Sequence, residues 1–366
     1  MGEWRESILV NILDTIESGQ RPVGGATTVS GEIPSLGGEN ISSNGRLVLD
    51  NIKKIPIDYF KKMNKGKLVG YEVLINKDGA NTGKVGYYNK DYENASINEH
   101  LFLLRGKADR VKQKYLYYSL LNDHGQIQIK NRITGSAQPG LSKEFVNYVK
   151  IYIPDNLYEQ EKIAEILTTI DNTIEQTEKI IAKYRRIKQG LLQDLLTKGI
   201  DENGNIRSEA THEFKDSPLG RIPVEWEVVN VNDIAIHVGS GSTPRGGQSV
   251  YLKEGILFIR SQNVSFDGLL LDDVAYIDDE THKRMKRSIV KNGDVLLNIT
   301  GASLGRVCVY KELNEANVNQ HVCIIRVKDK NEYNSDFLNA YLASYYGQCQ
   351  IEKLIAGGNR EGLNFS

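Results

Sequence analysis

The amino-acid sequence predicts an α+β fold in which two repeated, strand-rich domains are separated by a long coiled-coil helix. Three observations lead to this prediction. Several segments recur in one order about 222 residues apart, an amphipathic stretch lies between the copies, and short apolar runs alternate with turn signals in each copy. A chain of 366 residues has room for two domains. The predicted boundaries are domain one at 1–154, a spacer helix at 155–199, a linker at 200–221 and domain two at 222–366.

The internal repeat is clearest in the glycine-containing segments. "GQRPVGG" begins at Gly19 and "GSTPRGG" begins at Gly241, 222 residues later. The loop "KDGANTGKVGYY" matches "ITGASLGRVCVY", and "RITGSAQPGL" matches "LIAGGNREGL", at nearly the same offset. Chance similarities would be scattered along the chain. We therefore interpret the sequence as a duplicated domain that keeps its glycines and changes the side chains beside them.

Each copy combines strands with a few helices. Apolar runs such as "HLFLLR" at 100–105 and "HVCIIRV" at 321–327 lie between turn signals and predict strands. Helical patterns occur at 58–63, 112–122 and 336–354.

The segment between the copies, "YEQEKIAEILTTIDNTIEQTEKIIAKYRRIKQGLLQDLLTKG" at 158–199, predicts one long helix. It contains no proline, and Gly199 follows it in the way that is typical of a helix end. Such a helix would be roughly 60 Å long. It needs a partner helix to cover its apolar stripe, and packing on one of the domains is the alternative. The predicted helix-pairing positions are Ile163, Leu167, Ile170, Ile174, Ile181, Tyr184, Leu191 and Leu195.

The charges of this helix are unevenly distributed. Acidic side chains mostly fill the first half, and basic side chains fill the second half from Lys179 to Lys188. Two such helices attract each other when they are antiparallel and repel each other when they are parallel. The segment 200–221, which is polar and contains glycine and proline, is predicted as a linker.

The sequence contains no recognisable catalytic motif. The loop from Gly79 has the outline of a phosphate-binding P-loop, but it is one residue short and lacks the Ser or Thr that binds Mg²⁺. Its repeat has Arg306 in place of Lys84. The histidines have no metal-binding spacing, although the matched pair His100 and His321 has either a functional or a structural role. We predict a protein that is not an enzyme by itself and binds neither a metal nor a cofactor.

The composition predicts an ordinary soluble protein. The formal net charge is −1, and no apolar run approaches the roughly 18 residues of a membrane-spanning helix. The three cysteines form no CxxC pair, which favours a reducing compartment. We expect a cytoplasmic protein without a membrane partner.

Candidate DNA-binding residues lie in matched basic clusters and loops. Lys61 and Lys62 in copy one face Lys283 and Arg284 in copy two, which raises the expectation of phosphate contacts. Loop side chains of the types that read base edges form the remainder of the prediction, with polar turn residues as the alternative. These loop candidates are Arg21, Asn40, Ser42, Asn81, Thr82, Lys84 and Gln138 in copy one, and Arg245, Arg260, Gln262, Asn263, Ser303, Arg306, Asn359 and Arg360 in copy two.

Several of these motifs together resemble one known family. They are "EW" near the start of each copy, the glycine loops, "GLS" and "GLN" at 140–142 and 362–364, "GRIPVEWE" at 220–227, and above all the spacer helix. The sequence resembles the specificity (S) subunit of type I restriction-modification systems over nearly its whole length.

The resemblance implies a function and a set of partners. Each repeated domain would be a target-recognition domain that reads one half of a split site in double-stranded DNA. Spacer helices of the family pair antiparallel, set the distance between the half-sites and dock two methyltransferase (M) subunits. The M subunits hold S-adenosylmethionine, and a restriction (R) subunit adds ATP-driven, Mg²⁺-dependent translocation and cleavage. On this interpretation the chain itself binds no cofactor.

One departure from the family pattern leaves alternatives open. Copy two ends at "GLNFS", whereas copy one continues with "KEFVNYVKIYIP" and the helix. We expect domain two to be C-terminally incomplete and the helix at 158–198 to pair with the same helix of a second chain. The alternatives are a shortened fragment, a truncated or silent variant that acts as an adaptor, and the specificity subunit of a related methyltransferase-nuclease system. More distant ones are an NTPase built on the glycine loop and a bare coiled-coil adaptor.

Overall fold

A computed structural model describes residues 3–27, 31–135, 137, 139–329, 332–356 and 362–363. The chain divides into two compact units, residues 1–178 and 179–366. None of the helices in the described ranges is long and apolar enough to span a membrane.

The first unit holds twelve strands and five helices within its described residues, the last helix continuing into the second unit. In chain order they are β1 Trp4–Ile8, α1 Leu9–Ile12, β2 Leu13–Ser18, β3 Ile33–Leu36, β4 Lys54–Ile55, α2 Ile57–Lys62, β5 Lys67–Leu68, β6 Glu72–Asn76, β7 Val85–Tyr88, β8 Ala95–Ile97, β9 Leu101–Gly106, α3 Gln113–Leu121, α4 Asp123–Lys130, β10 Ile133–Thr134, β11 Gly140–Leu141, β12 Lys150–Pro154 and α5 Leu157–Thr197.

The second unit repeats most of this order after a hairpin, and it has one additional hairpin between the counterparts of β3 and β4. Its elements are β13 Phe214–Ser217, β14 Gly220–Pro223, α6 Val231–Ile234, β15 Ala235–Ser240, β16 Ile256–Ile259, β17 Val264–Ser265, β18 Gly268–Leu269, β19 Ala275–Ile277, α7 Asp279–Arg284, β20 Ile289–Val290, β21 Val295–Asn298, β22 Val307–Val309, β23 Ala316–Val318, β24 Val322–Val327, α8 Ser335–Ala343, α9 Tyr345–Lys353, β25 Ile355–Ala356 and β26 Gly362–Leu363.

The sheet topology is the same in both units and confirms the predicted duplication. An antiparallel sheet has the order β2-β9-β6-β7 in the first unit and β15-β24-β21-β22 in the second. A mixed sheet has the order β4-β3-β8-β5 in the first unit and β19-β16-β23-β20 in the second. In each mixed sheet the two central strands are parallel. Apolar side chains of the sheets and helices form the cores of each unit.

The sequence predicted one continuous helix at 336–354, and this is wrong because the segment forms two helices, α8 and α9. Ser344 has extended backbone angles and its hydroxyl caps α9 by accepting a hydrogen bond from Gly347 N at 3.3 Å. Asn122 does the same for α4, which the sequence prediction missed, by accepting from Gly125 N at 2.9 Å. A side-chain oxygen that satisfies the first amide groups starts a new helix at each break.

The long helix is confirmed as α5, and its first part packs on the first unit. Ala164 is buried in the core of that unit, and Ile163 packs against the same core. Gln160 is also buried, and its amide nitrogen donates to the carbonyls of Arg110 and Pro154. The Ile163 side chain therefore packs within the first unit, and this part of the predicted pairing stripe is not available to contact a second helix.

The segment predicted as a linker at 200–221 holds ordered structure. Asp201 Oδ1 accepts hydrogen bonds from the backbone amides of Asn203 and Asn205, which closes a turn directly after the helix. The strands β13 and β14 then pair as an antiparallel hairpin. Local side-chain-to-backbone bonds of this kind order a polar segment without an apolar core.

Two matched glycines, Gly19 and Gly241, allow chain segments to approach closely. We therefore predict that alanine destabilises the protein at such a position, and that it stabilises the protein at Gly190, where there is no close approach. A Cβ atom on Gly241 would lie 1.7 Å from Val318 O, and one on Gly19 would lie 2.0 Å from Ile97 O. We expect Gly241→Ala to destabilise its domain by about 3 kcal/mol, since a backbone carbonyl cannot move aside.

Gly190, inside α5, has no such neighbour within 4 Å. We expect Gly190→Ala to stabilise the protein by about 1 kcal/mol through helix propensity. Thermal unfolding checks both, and equal shifts would contradict the prediction.

Candidate nucleic-acid interface

The glycine loop of the first unit is a tight hairpin turn that is attached to a second loop. The turn joins β6 to β7, and Gly83 N donates to Asn76 O across its base. Thr82 Oγ1 donates to Gly79 O at 2.6 Å and lies 3.1 Å from Pro139 O. A strand follows the loop, so it does not provide the helix N-terminus on which a P-loop binds phosphate. The loop holds segment 139–141 in place.

The second unit builds the corresponding turn between β21 and β22. Gly305 N donates to Asn298 O at 2.9 Å, and Leu363 N donates to Ile299 O at 2.9 Å. Arg306 is exposed at the position where the first unit has the half-buried Lys84. The two turns therefore have the same backbone hydrogen bond across their base, but their cationic side chains differ.

Four side chains from three loops meet beside the first glycine turn. His100 Nδ1 lies 2.5 Å from Asp78 Oδ1, and His100 Nε2 lies 3.3 Å from Glu99 Oε1. The same Glu99 oxygen lies 2.7 Å from Arg21 Nε. We call Arg21, Asp78, Glu99 and His100 the charged quartet.

The matched positions in the second unit form a neutral quartet of Thr243, Thr300, Gln320 and His321. His321 Nδ1 lies 2.5 Å from Thr300 Oγ1, and His321 Nε2 lies 3.1 Å from Gln320 Nε2. The Thr243 hydroxyl donates to Gln320 Oε1. The histidine therefore shares its quartet with side chains at the same three positions in both units. In the first unit these neighbours are charged side chains, and in the second unit they are uncharged ones.

Two of the predicted DNA contacts, Asn40 and Asn263, face the interior of their domains. Both are buried, and each carboxamide is used within its own loop. Asn40 Oδ1 accepts from Gly37 N at 2.8 Å and its Nδ2 donates to Val48 O at 2.9 Å. Asn263 makes the matching bond to Arg260 N at 3.0 Å. A buried carboxamide that bonds within its own loop is not positioned to reach a base edge.

Other predicted contacts are partly engaged within their own loops. Arg260 and Gln262 both donate to Asp273, and the Arg260 side chain is 17% exposed. The Ser42 hydroxyl donates to Arg46 O at 2.7 Å, as expected of a turn residue. Asn81 Nδ2 donates to Gly38 O at 3.3 Å. These bonds orient the loops and leave less of each side chain for DNA.

The exposed candidates are mainly cations. Lys61 and Lys62 end the short helix α2, and Lys283 and Arg284 end the matching helix α7. Arg284 pairs weakly with Glu280, at 3.6 Å. The other exposed candidates are Arg21, Arg245, Gln262 and Arg306, the half-buried ones are Ser42, Asn81, Thr82, Lys84, Arg260 and Ser303, and Gln138, Asn359 and Arg360 lie outside the described residues.

The model of one protein family covers most of the chain. The family is described as "Type I restriction modification DNA specificity domain", and it matches residues 1–184 and 223–366. The chain belongs to this family. The two matched regions correspond to the two repeated domains, and the first also includes more than half of the spacer helix.

Individual relatives agree with the family match. The chain is 26% identical over 302 residues to the type I restriction enzyme MjaVIII specificity subunit of Methanocaldococcus jannaschii, with 80% of this chain and 67% of the relative covered. It is 30% identical over 220 residues to the putative MjaX specificity subunit of the same organism, with 59% and 48% covered. The chain therefore spans about two thirds of the first relative's length and about half of the second's.

A solved structure shares the fold. The crystal structure of a type I restriction-modification S subunit from M. genitalium superposes with a TM-score of 0.61 at 16% identity, and covers 96% of this chain and 79% of that chain. The α+β architecture of this specificity-domain protein is therefore one that a solved S subunit also has.

Two buried ion pairs in this specificity-domain protein were missed by the sequence prediction. Glu72 is fully buried, and its Oε1 lies 2.9 Å from Arg105 Nη2. Asp294 is buried in the second unit, 2.7 Å from Arg326 Nη2. The matched arginines that end "LFLLR" and "VCIIR" were the available signal. Each arginine also donates to a backbone carbonyl of the mixed sheet, of Lys67 or Ile289 respectively, which joins the two sheets of each domain.

A cleft beside the spacer helix was also missed. It has a volume of about 680 Å³, and its lining includes four tyrosines, three of which surround one lysine. Lys114 Nζ lies 4.0 Å from the ring centre of Tyr87 and within 5.7 Å of those of Tyr117 and Tyr118. Burial lowers the pKa of Lys114 and raises the pKa of Tyr87 and of Tyr117 to about 12. The Tyr118 hydroxyl donates to Asp171 of α5 at 2.7 Å, so the cluster also attaches the helix to the first domain.

The described residues show no metal centre. No group of three or more His, Cys, Asp and Glu side chains among them is arranged to hold a metal ion. The two buried cysteines have thiol pKa values raised by burial, to about 11 for Cys308 and about 12 for Cys323. Such thiols are poor nucleophiles.

Proposed function

We propose that this chain is the DNA specificity subunit of a type I restriction-modification complex, a binding subunit without catalysis of its own. Each repeated domain reads one half of a bipartite site in double-stranded DNA. The observation that carries the proposal is the duplicated scaffold with unlike surfaces. The sheet order and the glycine turns are the same in both domains, while the loop side chains differ, as in the charged and neutral quartets.

The partners of the proposed complex supply its chemistry. Methyltransferase subunits bind S-adenosylmethionine and dock along the spacer helix, and a restriction subunit supplies ATP- and Mg²⁺-dependent cleavage. The complex works on DNA in the cytoplasm. The specificity chain contributes the DNA-reading surfaces and the distance between them.

We further propose that α5 pairs with α5 of a second copy of the chain. Beyond Ile163, the predicted stripe is exposed, from 37% at Leu195 to 65% at Tyr184. Its positions recur at steps of three, four or seven, the spacing of a coiled coil. An antiparallel arrangement lays the apolar stripe of one copy against the stripe of the other. This arrangement also sets each acidic half beside a basic half.

A domain exchange tests the proposed function. Residues 1–154 are replaced by the matching domain of a relative, the chain is produced with its methyltransferase subunit, and the methylated sequence is read genome-wide. We expect one half of the bipartite motif to change and the other half to remain. An unchanged motif, or a change in both halves, would contradict the proposal.

The basic helix ends give a prediction on salt dependence. We expect the double change Lys61→Ala and Lys62→Ala to weaken binding to all DNA sequences and to lower the slope of log K against log[salt] by about 2, since each phosphate contact contributes about 0.9. Filter binding between about 50 and 200 mM salt measures the slope.

The matched control removes two exposed lysines elsewhere in the same domain, Lys130 and Lys143. We expect this control to leave the slope unchanged. A change of base preference in the Lys61 and Lys62 variant, or equal slopes for both double variants, would count against phosphate contacts at α2.

A further inference from the structure

We infer that Arg21 reads a guanine in the half-site of domain one, and that Glu99 is the residue that positions it. The inference rests on the proposed function and assigns a base and a residue to one of its two reading surfaces. It begins from the charged quartet and its neutral counterpart.

The ion pair between Arg21 and Glu99 lies at one edge of the guanidinium and leaves the other edge open. Glu99 Oε1 lies 2.7 Å from Nε, the nitrogen nearest the chain. No described residue accepts a hydrogen bond from the two terminal nitrogens, and the side chain is 58% exposed. A guanidinium anchored in this way presents two parallel N–H groups outward. That fork matches the O6 and N7 acceptors of guanine in the major groove.

Glu99 is restrained by burial and by its ion pair with Arg21, and not by hydrogen bonds. Both of its carboxylate oxygens are buried and accept no hydrogen bond from the described residues, and Oε1 also lies 3.3 Å from His100 Nε2. His100 is fixed at its other nitrogen by Asp78, which belongs to the glycine turn. The position of the Arg21 fork is therefore set by two further loops, and rigid placement of this kind is what discrimination between bases requires.

The local charge favours base reading over phosphate binding. Asp78 and Glu99, two of the four members of the quartet, are carboxylates. These carboxylates would repel the negative charge of a phosphate, whereas a neutral base edge carries no net charge to be repelled. The lysines that end α2 are exposed and form no salt bridge with the described residues, so they are better suited to phosphate.

The second domain has the matched quartet of side chains, but it has no guanidinium group in it. Thr243 stands where Arg21 stands, and it is held by Gln320 in place of Glu99. A threonine has no paired donors for guanine, although its hydroxyl and methyl group contact other base edges. The two domains therefore differ in base preference at this matched position, and guanine is assigned to domain one alone.

The test uses the full chain with its methyltransferase subunit and a randomised DNA library. We expect the half-site assigned to domain one by the domain exchange to contain a guanine. We expect Arg21→Ala to lower the preference for guanine at that position by roughly 5- to 150-fold, the range that corresponds to one bidentate contact. Glu99→Gln should lower the same preference at the same position, because Arg21 loses its anchor. Neither variant should change the half-site of domain two.

The control removes a matched charge from the same domain. Arg110 is exposed and pairs only loosely with Asp109, at 3.5 Å. We expect Arg110→Ala to leave every base preference unchanged, and circular dichroism to report the same unfolding temperature for all three variants within a few degrees.

The outcomes separate this inference from the proposed function. If the wild-type complex selects no DNA sequence, the proposed function fails. If the wild-type complex is selective but its domain-one half-site lacks guanine, or if Arg21→Ala weakens all sequences equally, only the inference is overturned. Loss of guanine preference in Arg21→Ala with no change in Glu99→Gln overturns the positioning role of Glu99.

Discussion

Replacing Glu72 by alanine is expected to destabilise the first domain by about 3–5 kcal/mol, which is a large part of a domain's stability. The change leaves the Arg105 guanidinium without its carboxylate at a site where Glu72 is fully buried. It also removes the acceptor for the backbone amides of Val69 and Gly70, at 2.8 and 2.9 Å. Urea unfolding, followed by fluorescence, measures the loss.

The matched change in the second domain is Asp294→Ala, for which we expect a loss of the same size. The control is Glu161→Ala, because Glu161 pairs with Lys112 at 3.0 Å but is 61% exposed. An exposed pair contributes less than about 1 kcal/mol. If Glu72→Ala costs no more than this control, the buried pair does not join the sheets in the way we describe.

The second large effect is expected at the spacer helix. The double change Ile174→Asp and Ile181→Asp places four carboxylates in the seam of the proposed antiparallel pair. We expect the Kd of the self-dimer to rise by at least about 1000-fold, which is roughly 4 kcal/mol, because unpaired charges in an apolar seam must be desolvated. Light scattering and sedimentation at micromolar concentration measure the oligomeric state.

The control for this experiment adds the same charges to the same helix away from the stripe. Gln176 and Gln193 are exposed and lie outside the stripe positions. We expect the change of both to Asp to leave the dimer intact. A monomeric wild-type protein would contradict the self-dimer, and a dimeric Ile174 and Ile181 variant would place the interface elsewhere.

The sequence predicted the interface unevenly, and the reason is visible in Asn40 and Arg21. Both are polar residues in glycine-containing loops, so residue type and spacing make them equal candidates. In the folded domain Asn40 points inward and is satisfied by Gly37 and Val48, whereas Arg21 is exposed with one edge of its guanidinium open. Burial and hydrogen-bond partners separate the two, and neither property is local in sequence.

The same distinction applies to the helix. Its periodicity predicted the length and the apolar stripe, because both depend on residues that are neighbours along the chain. That Ile163 packs on the core of the first domain depends instead on the residues of other elements that form this core.

By itself, the sequence determined the duplication, the α+β class, the long helix and the turn nature of the glycine loops. These follow from order, period and backbone-permissive residues, which act over short stretches of chain. Only the tertiary structure decided which polar residues are buried, which carboxylate meets which arginine, and how three loops assemble the two quartets. These pairings join residues far apart in the chain, such as Arg21 and Glu99, which are 78 positions apart. Their energies arise from burial and geometry that exist only after the sheets have packed.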